Sequence, residues 1–130
     1  MKTSFEWKHL DFSDADDAHW LRHESRVPDI VADALLNVDS RPRALQTENG
    51  VLLILRGVNL NPGSDLEDMI SVRLWVEKNR IISSSRRRLL SLNEISKKIE
   101  AGKGPQTVGD FVNTLVERLG EFITEATEKI

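Results

Sequence analysis

The most regular hydrophobic pattern of the chain lies in residues 105–130. Its apolar residues recur at steps of three and four, which is typical of one face of a helix. These positions are Val108, Phe111, Val112, Leu115, Val116, Leu119, Phe122, Ile123 and Ala126. The pattern runs to the end without the Gly, Asn or Pro that usually stops a helix. We therefore predict that 105–130 is the start of a longer helix.

Alternating and uniformly apolar stretches predict strands over residues 5–12, 43–47, 51–59, 69–76 and 80–85. Helices are predicted from Ser13 as cap to about residue 24, from Pro28 to about 38, and over 91–101. Asn49-Gly50 predicts a hairpin turn, because both residues tolerate positive φ. Strands that are apolar on both faces require cover on both sides.

The order of these elements is a strand, two helices, a run of antiparallel strands and two helices. It predicts an α+β fold of three α/β/α layers around a mostly antiparallel sheet. We place one domain at 1–104 and the start of the long helix at 105–130.

Composition narrows the class of protein. The 130 residues have a net charge of −3, which disfavours a general nucleic-acid binder, and no cysteine, which excludes disulfides and thiolate zinc sites. A membrane span needs about 20 mostly apolar residues, whereas the longest apolar run covers residues 51–55. The chain is predicted to be soluble and not to cross a membrane by itself.

The motifs of common enzymes are absent from the sequence. It has no phosphate-binding Gly-rich loop and no nucleophile elbow, so we do not expect an enzyme.

Four groups of charged or ligating residues are candidates for function. His19 and His23 lie four apart on a predicted helix, with Asp16 one turn earlier, and imidazole with carboxylate suits zinc or nickel. The alternative is an ordinary exposed helix with acids at its N-terminus. Arg86, Arg87 and Arg88 could bind an anion or an acidic partner, or form a solvated turn.

A further set of arginines falls on neighbouring predicted strands, where internal ion pairs are favoured over an anion site: Arg41, Arg43, Arg56 and Arg73.

The last predicted helix carries an acidic face opposite its apolar one. Its main members are Glu117, Glu121, Glu125 and Glu128. Like charges at these spacings cost an isolated helix about 0.2–0.5 kcal/mol per pair. The face is either a solubilising surface or one that attracts cations, and the pattern alone does not separate the two.

Several segments together resemble one family. In chain order they are Trp7-Lys8-His9-Leu10-Asp11, Ser40-Arg41-Pro42-Arg43, Leu55-Arg56-Gly57-Val58-Asn59, Val72-Arg73-Leu74-Trp75, residues 80–86 and Gly102-Lys103-Gly104-Pro105. Their order and spacing resemble the N-terminal cytoplasmic domain of CorA-type divalent-metal transporters, above all the zinc-transporter branch, ZntB.

The resemblance implies a homopentamer whose subunits have an α/β/α cytoplasmic domain, a long stalk helix and two membrane helices beyond this chain. It implies that the chain is the funnel domain at the cytoplasmic face of the inner membrane, serving assembly, ion sensing or gating. Zn²⁺ or another divalent cation would be the transported or regulatory ion, with no cofactor required and no nucleic acid as partner. The four glutamates of the last helix would then line the cation path. The alternative is an anion-regulated or protein-binding module without a transport role.

Overall fold

The computed structural model describes residues 5–11, 13–37, 43–58, 69–85 and 89–128, with side chains at all of these except 43, 58, 69 and 122–128. The described residues form five strands and four helices. In chain order they are β1 (Glu6–Asp11), α1 (Ala15–His23), α2 (Asp29–Leu36), β2 (Arg43–Gln46), β3 (Val51–Val58), β4 (Met69–Val76), β5 (Arg80–Ser85), α3 (Leu90–Glu100) and α4 (Val108–Glu128).

All five strands belong to one sheet, in the order β1-β5-β4-β3-β2. The pairs β2–β3, β3–β4 and β4–β5 are antiparallel. The first strand lies parallel to the last, with Trp7 opposite Ile81. The predicted α+β fold with a mostly antiparallel sheet is confirmed, whereas the parallel pairing of β1 with β5 was not predicted.

The sheet is covered on both faces, as its two-sided apolar strands require. On one face Leu52, Trp75 and Ile82 are buried with residues of α1 and α2. On the other face Val72 and Leu74 are buried with residues of α3 and α4. Because successive side chains of a strand point to opposite faces, β4 supplies both cores at once. The fold therefore has the three α/β/α layers that the sequence predicted.

Two helix starts differ from the predictions. The cap of α1 is Asp14 and not Ser13, since the Asp14 side chain accepts hydrogen bonds from the backbone N–H groups of Asp16 and Asp17. Helix α4 begins at Val108, three residues after Pro105, because Thr107 Oγ1 accepts a hydrogen bond from the Asp110 N–H at 3.1 Å. Side-chain acceptors of this kind satisfy N–H groups that a helix leaves free at its start.

The predicted hairpin at Asn49-Gly50 is confirmed, but for a different reason. The Thr47 N–H donates to the Gly50 carbonyl at 2.8 Å, and Gln46 pairs with Val51. Positive φ angles occur in the described chain only at Arg26 and Gly102, so neither turn residue uses this freedom. A Cβ on Gly50 would lie 2.6 Å from the Val76 carbonyl oxygen. Glycine is needed here for the close approach of two backbones.

Helix α4 covers the sheet with a narrow apolar stripe. Phe111, Leu115 and Leu119 are at most 5% exposed. The Phe111 ring meets the Trp7 ring edge to face, with centroids 4.8 Å apart. Val116, which the sequence placed in the stripe, is 48% exposed. That prediction was wrong, because the contact with the sheet is narrower than the run of apolar residues.

The parallel pair β1–β5 is joined by a side-chain network beside this core. Trp7 Nε1–H donates to Ser83 Oγ at 2.9 Å, which leaves the Ser83 hydroxyl free to donate to His9 Nδ1 at 2.7 Å. His9 Nε2 lies 3.1 Å from Ser85 Oγ, to which it donates in this arrangement. The neutral ring thus has both nitrogens satisfied. Burial lowers the pKa of His9, against the opposing effect of Asp11 and Asp17.

We expect Phe111→Ala to lower the free energy of unfolding by about 3–5 kcal/mol, the usual cost of emptying a buried phenylalanine site. The matched control is Val116→Ala, on the exposed side of the same helix, which should change it by no more than about 0.5 kcal/mol. Urea denaturation measures both. Equal effects of the two substitutions would contradict the docking of α4 on the sheet.

We also expect stability to fall as the pH drops below the ordinary histidine pKa of about 6.5. Because the pKa of His9 is lower in the folded chain, the unfolded chain binds more protons between the two pKa values, and stability rises with pH there. His9→Gln should flatten this part of the curve, and His19→Gln should not. The measurement is urea denaturation at pH values from 5 to 8, and an unchanged slope in His9→Gln would refute the explanation.

Candidate functional site

The acidic face of α4 points away from the sheet. Glu117 and Glu121 are exposed, whereas Phe111, Leu115 and Leu119 of the same helix are buried. Glu125 and Glu128 lie in the same helix, and their side chains are outside the described residues. The structure therefore brings two of the four predicted glutamates to a common exposed surface and leaves the positions of the other two as a prediction.

The charge on this face is partly compensated. Arg118 Nε lies 3.1 Å from both carboxylate oxygens of Glu94 in α3, and Arg118 Nη1 donates to Glu121 Oε2 at 2.8 Å. The bond to Glu94, followed by that to Glu121, raises the pKa of Arg118. Such half-exposed pairs contribute about 0–1 kcal/mol each. The pair with Glu94 joins α4 to α3, and the pair with Glu121 lies within α4. Glu117 has no ion-pair partner in the part of the chain that the structure describes, and its carboxylate is the freer one for a cation.

The two histidines of α1 meet as predicted. The rings of His19 and His23 are both exposed, with centroids 4.5 Å apart and planes tilted by 42°. Asp16 lies in the first turn of the same helix. Across the described ranges no group of three or more His, Cys, Asp or Glu is arranged to hold a metal ion. The structure therefore supplies a pair of imidazoles but does not add Asp16 as a third ligand.

The arginine predictions have mixed outcomes. Arg86, Arg87, Arg88 and Arg41 lie outside the described residues, as does the side chain of Arg43. Arg56 is exposed on β3. Arg73 is fully buried in β4, and burial lowers its pKa. Anion binding by Arg86, Arg87 and Arg88 stays a prediction, as do internal ion pairs for the arginines of the strands.

A polar cluster at one end of the sheet was missed. Arg80 donates to both carboxylate oxygens of Glu77, at 2.9 and 2.7 Å, and to the Ser25 carbonyl at 2.9 Å. Trp75 Nε1–H donates to Glu77 Oε2 at 2.7 Å. Burial acts to raise the pKa of Glu77, but the hydrogen bonds from Arg80 and Trp75 outweigh it and leave that pKa lowered. The only signal in the sequence was the spacing of Glu77 and Arg80 across a turn.

This cluster forms one wall of an open cavity of about 470 Å³, to which Arg26 and Lys78 add two more cations. Glu77 and Arg80 satisfy each other within this wall. The cluster therefore fixes the link between α1 and the β4–β5 turn, and it carries no arrangement of nucleophile, acid and base.

None of the helices that the structure describes is long and apolar enough to cross a bilayer.

Comparison with known proteins places this fold and these surfaces in context. Residues 2–130 match the family model described as CorA-like Mg2+ transporter protein. The zinc transport protein ZntB of Pectobacterium carotovorum is 35% identical over 128 residues, covering 95% of this chain and 39% of the relative. The divalent cation transporter CmaX of Pseudomonas aeruginosa is 38% identical over 118 residues, covering 90% of this chain and 36% of the relative.

Two solved structures are similar in fold along nearly the whole chain. The full-length CmaX protein superposes with a TM-score of 0.90 at 35% identity, covering 95% of this chain and 38% of that one. The ZntB cytoplasmic domain from Vibrio parahaemolyticus superposes with a TM-score of 0.87 at 29% identity, covering 95% of this chain and 50% of that one.

These relatives also bear on the class of protein. They are named as transporters, in agreement with the prediction that the chain is not an enzyme. The chain spans less than half the length of the curated relatives that it matches. Because the family model covers nearly every residue, the chain belongs to the CorA family of divalent-metal transporters.

Proposed function

We propose that the chain is the cytoplasmic domain of a divalent-cation transporter at the inner membrane, with zinc as the ion carried. One observation carries the proposal: its three-layer fold matches, over nearly its whole length, the ZntB cytoplasmic domain from Vibrio parahaemolyticus. The similarity to CmaX, named only as a divalent cation transporter, supports the class of ion. Zinc is the specific choice because the relative named zinc transport protein covers more of the chain.

In this role the domain works as part of a homopentamer and acts on the pore through subunit contacts. A domain of this kind gates by having two arrangements that an ion stabilises unequally. Its own rigid parts are the sheet and the helices docked on both faces. The domain therefore moves as a unit, and the contacts between subunits are the ones that change.

The acidic face of α4 is the surface that we assign to the cation path. Carboxylates gathered on one surface raise the local concentration of cations. Docking of Phe111 and Leu115 on the sheet leaves Glu117 on the free side of the helix. Since Glu121 is already paired with Arg118, we expect Glu117 to have the larger effect on the attraction of cations. From the sequence pattern we expect Glu125 and Glu128 to extend the same lining.

The test is cation flux through a chimera in which this chain replaces the matching segment of Pectobacterium carotovorum ZntB. In proteoliposomes with a zinc indicator inside, we expect the chimera to carry Zn²⁺. Glu117→Gln should lower the initial rate, more at low ionic strength than at 0.15 M salt, where the Debye length is about 8 Å.

The matched control is Glu48→Gln, which removes an exposed carboxylate from the β2–β3 turn. An assembled chimera that carries no divalent cation would contradict the transport role. Equal rates for Glu117→Gln and Glu48→Gln at every salt concentration would remove only the acidic lining and leave the domain assignment intact.

A further inference from the structure

The histidine pair of α1 lies in the helix layer on the other side of the sheet from α4, and nothing in the transport role accounts for it. Spacing of four residues puts His19 and His23 on the same side of the helix, one turn apart. The rings are in contact, with centroids 4.5 Å apart. A pair of imidazoles at this spacing is the arrangement by which a single helix supplies two ligands to one zinc ion.

Both rings are available to an ion from solvent. Each histidine is exposed. Among the described residues the two rings contact each other, and neither ring makes a hydrogen bond or an ion pair. A metal ion would therefore displace only water from them, without breaking an existing interaction of the fold.

The local electrostatics favour a cation here. His23 is the last residue of α1, and His19 lies one turn before it. The carbonyl end of a helix carries a partial negative charge that attracts cations. Arg22, the basic neighbour on α1, is engaged by Asp33 of α2 at 2.9 Å.

We propose that His19 and His23 together bind one divalent transition-metal ion of the zinc class, with water in the remaining coordination positions. The site is separate from the acidic face of α4 and does not depend on the transport role. It takes ions that prefer imidazole nitrogen, such as Zn²⁺, Ni²⁺ and Cu²⁺, and leaves Mg²⁺ and Ca²⁺, which prefer oxygen, unbound. Cu²⁺ should bind more tightly than Zn²⁺, as the usual order of these ions requires.

Binding must compete with protons. Only neutral imidazole coordinates a metal, so binding of a metal by histidine weakens as the proton concentration rises. The affinity for Zn²⁺ should therefore fall steeply between pH 7.5 and pH 5.5. This dependence separates a histidine site from a carboxylate site, whose ligands remain charged over that range.

The experiment is isothermal titration calorimetry of the untagged 130-residue chain with Zn²⁺, at pH 7.5 and at pH 5.5. We expect one ion per chain at pH 7.5, and shifts of the His19 and His23 ring protons in a parallel NMR titration. His19→Gln and His23→Gln should each weaken binding by at least about tenfold, since even outer-shell partners of metal ligands are worth about 10–100-fold. The matched control, His9→Gln, removes the chain's third histidine and should leave the affinity unchanged.

Three results would overturn the site. In the first, both single variants bind Zn²⁺ with the same affinity as the unsubstituted chain. In the second, the chain binds Mg²⁺ as tightly as Zn²⁺. In the third, the affinity for Zn²⁺ does not change with pH. Near-UV circular dichroism of each variant shows that the fold is kept, which is expected because both side chains are exposed. Loss of this site would leave the zinc-flux test of the transport role unaffected.

Discussion

The burial of one side of α4 against the sheet is the contact on which the other features depend. Strands β4 and β5 carry apolar side chains on both faces, so the sheet is stable only when both faces are covered. Phe111, Leu115 and Leu119 cover one face, and each such side chain contributes about 1.5–3 kcal/mol on burial. Helices α1 and α2 perform the same task on the opposite side, and β4 links the two cores.

That contact also decides where charge is displayed. Once Phe111 faces the sheet, Glu117 and Glu121 face away from it. The bridge from Arg118 to Glu94 joins α4 to α3 and removes part of the negative charge at Glu121. On the far side of the sheet, α1 presents His19 and His23 to solvent. The same three-layer packing thus separates an acidic surface from an imidazole pair, and each is suited to a different kind of cation binding.

The sequence predicted those features of the fold that depend on residues close together in the chain. The bounds of β4 follow from alternation and the start of β5 from the turn before it, and the three layers follow from strands that are apolar on both sides. The acidic face of α4 follows from helical periodicity. Contacts between distant segments leave no such pattern, which is why the parallel pairing of Trp7 with Ile81 was not predicted.

The same limit explains the smaller errors. Val116 has the right spacing for the apolar stripe, but the width of the contact is set by the sheet beneath it. The bond from Arg118 to Glu94 depends on how α3 packs on α4, and the spacing of residues along one helix does not predict that packing. At the candidate site, the sequence could therefore name the glutamates and histidines, but it could not tell which carboxylate was already paired.

We infer that α4, which shares one helix layer with α3, is docked as firmly as the strands beneath it. Native-state hydrogen exchange tests this claim most directly, because it measures the free energy at which each segment opens. The backbone amides of residues 111–119 should open at the same free energy as those of residues 72–75, only through unfolding of the whole domain. Exchange of 111–119 at a much lower free energy, with 72–75 still protected, would show that α4 detaches on its own and would contradict the account.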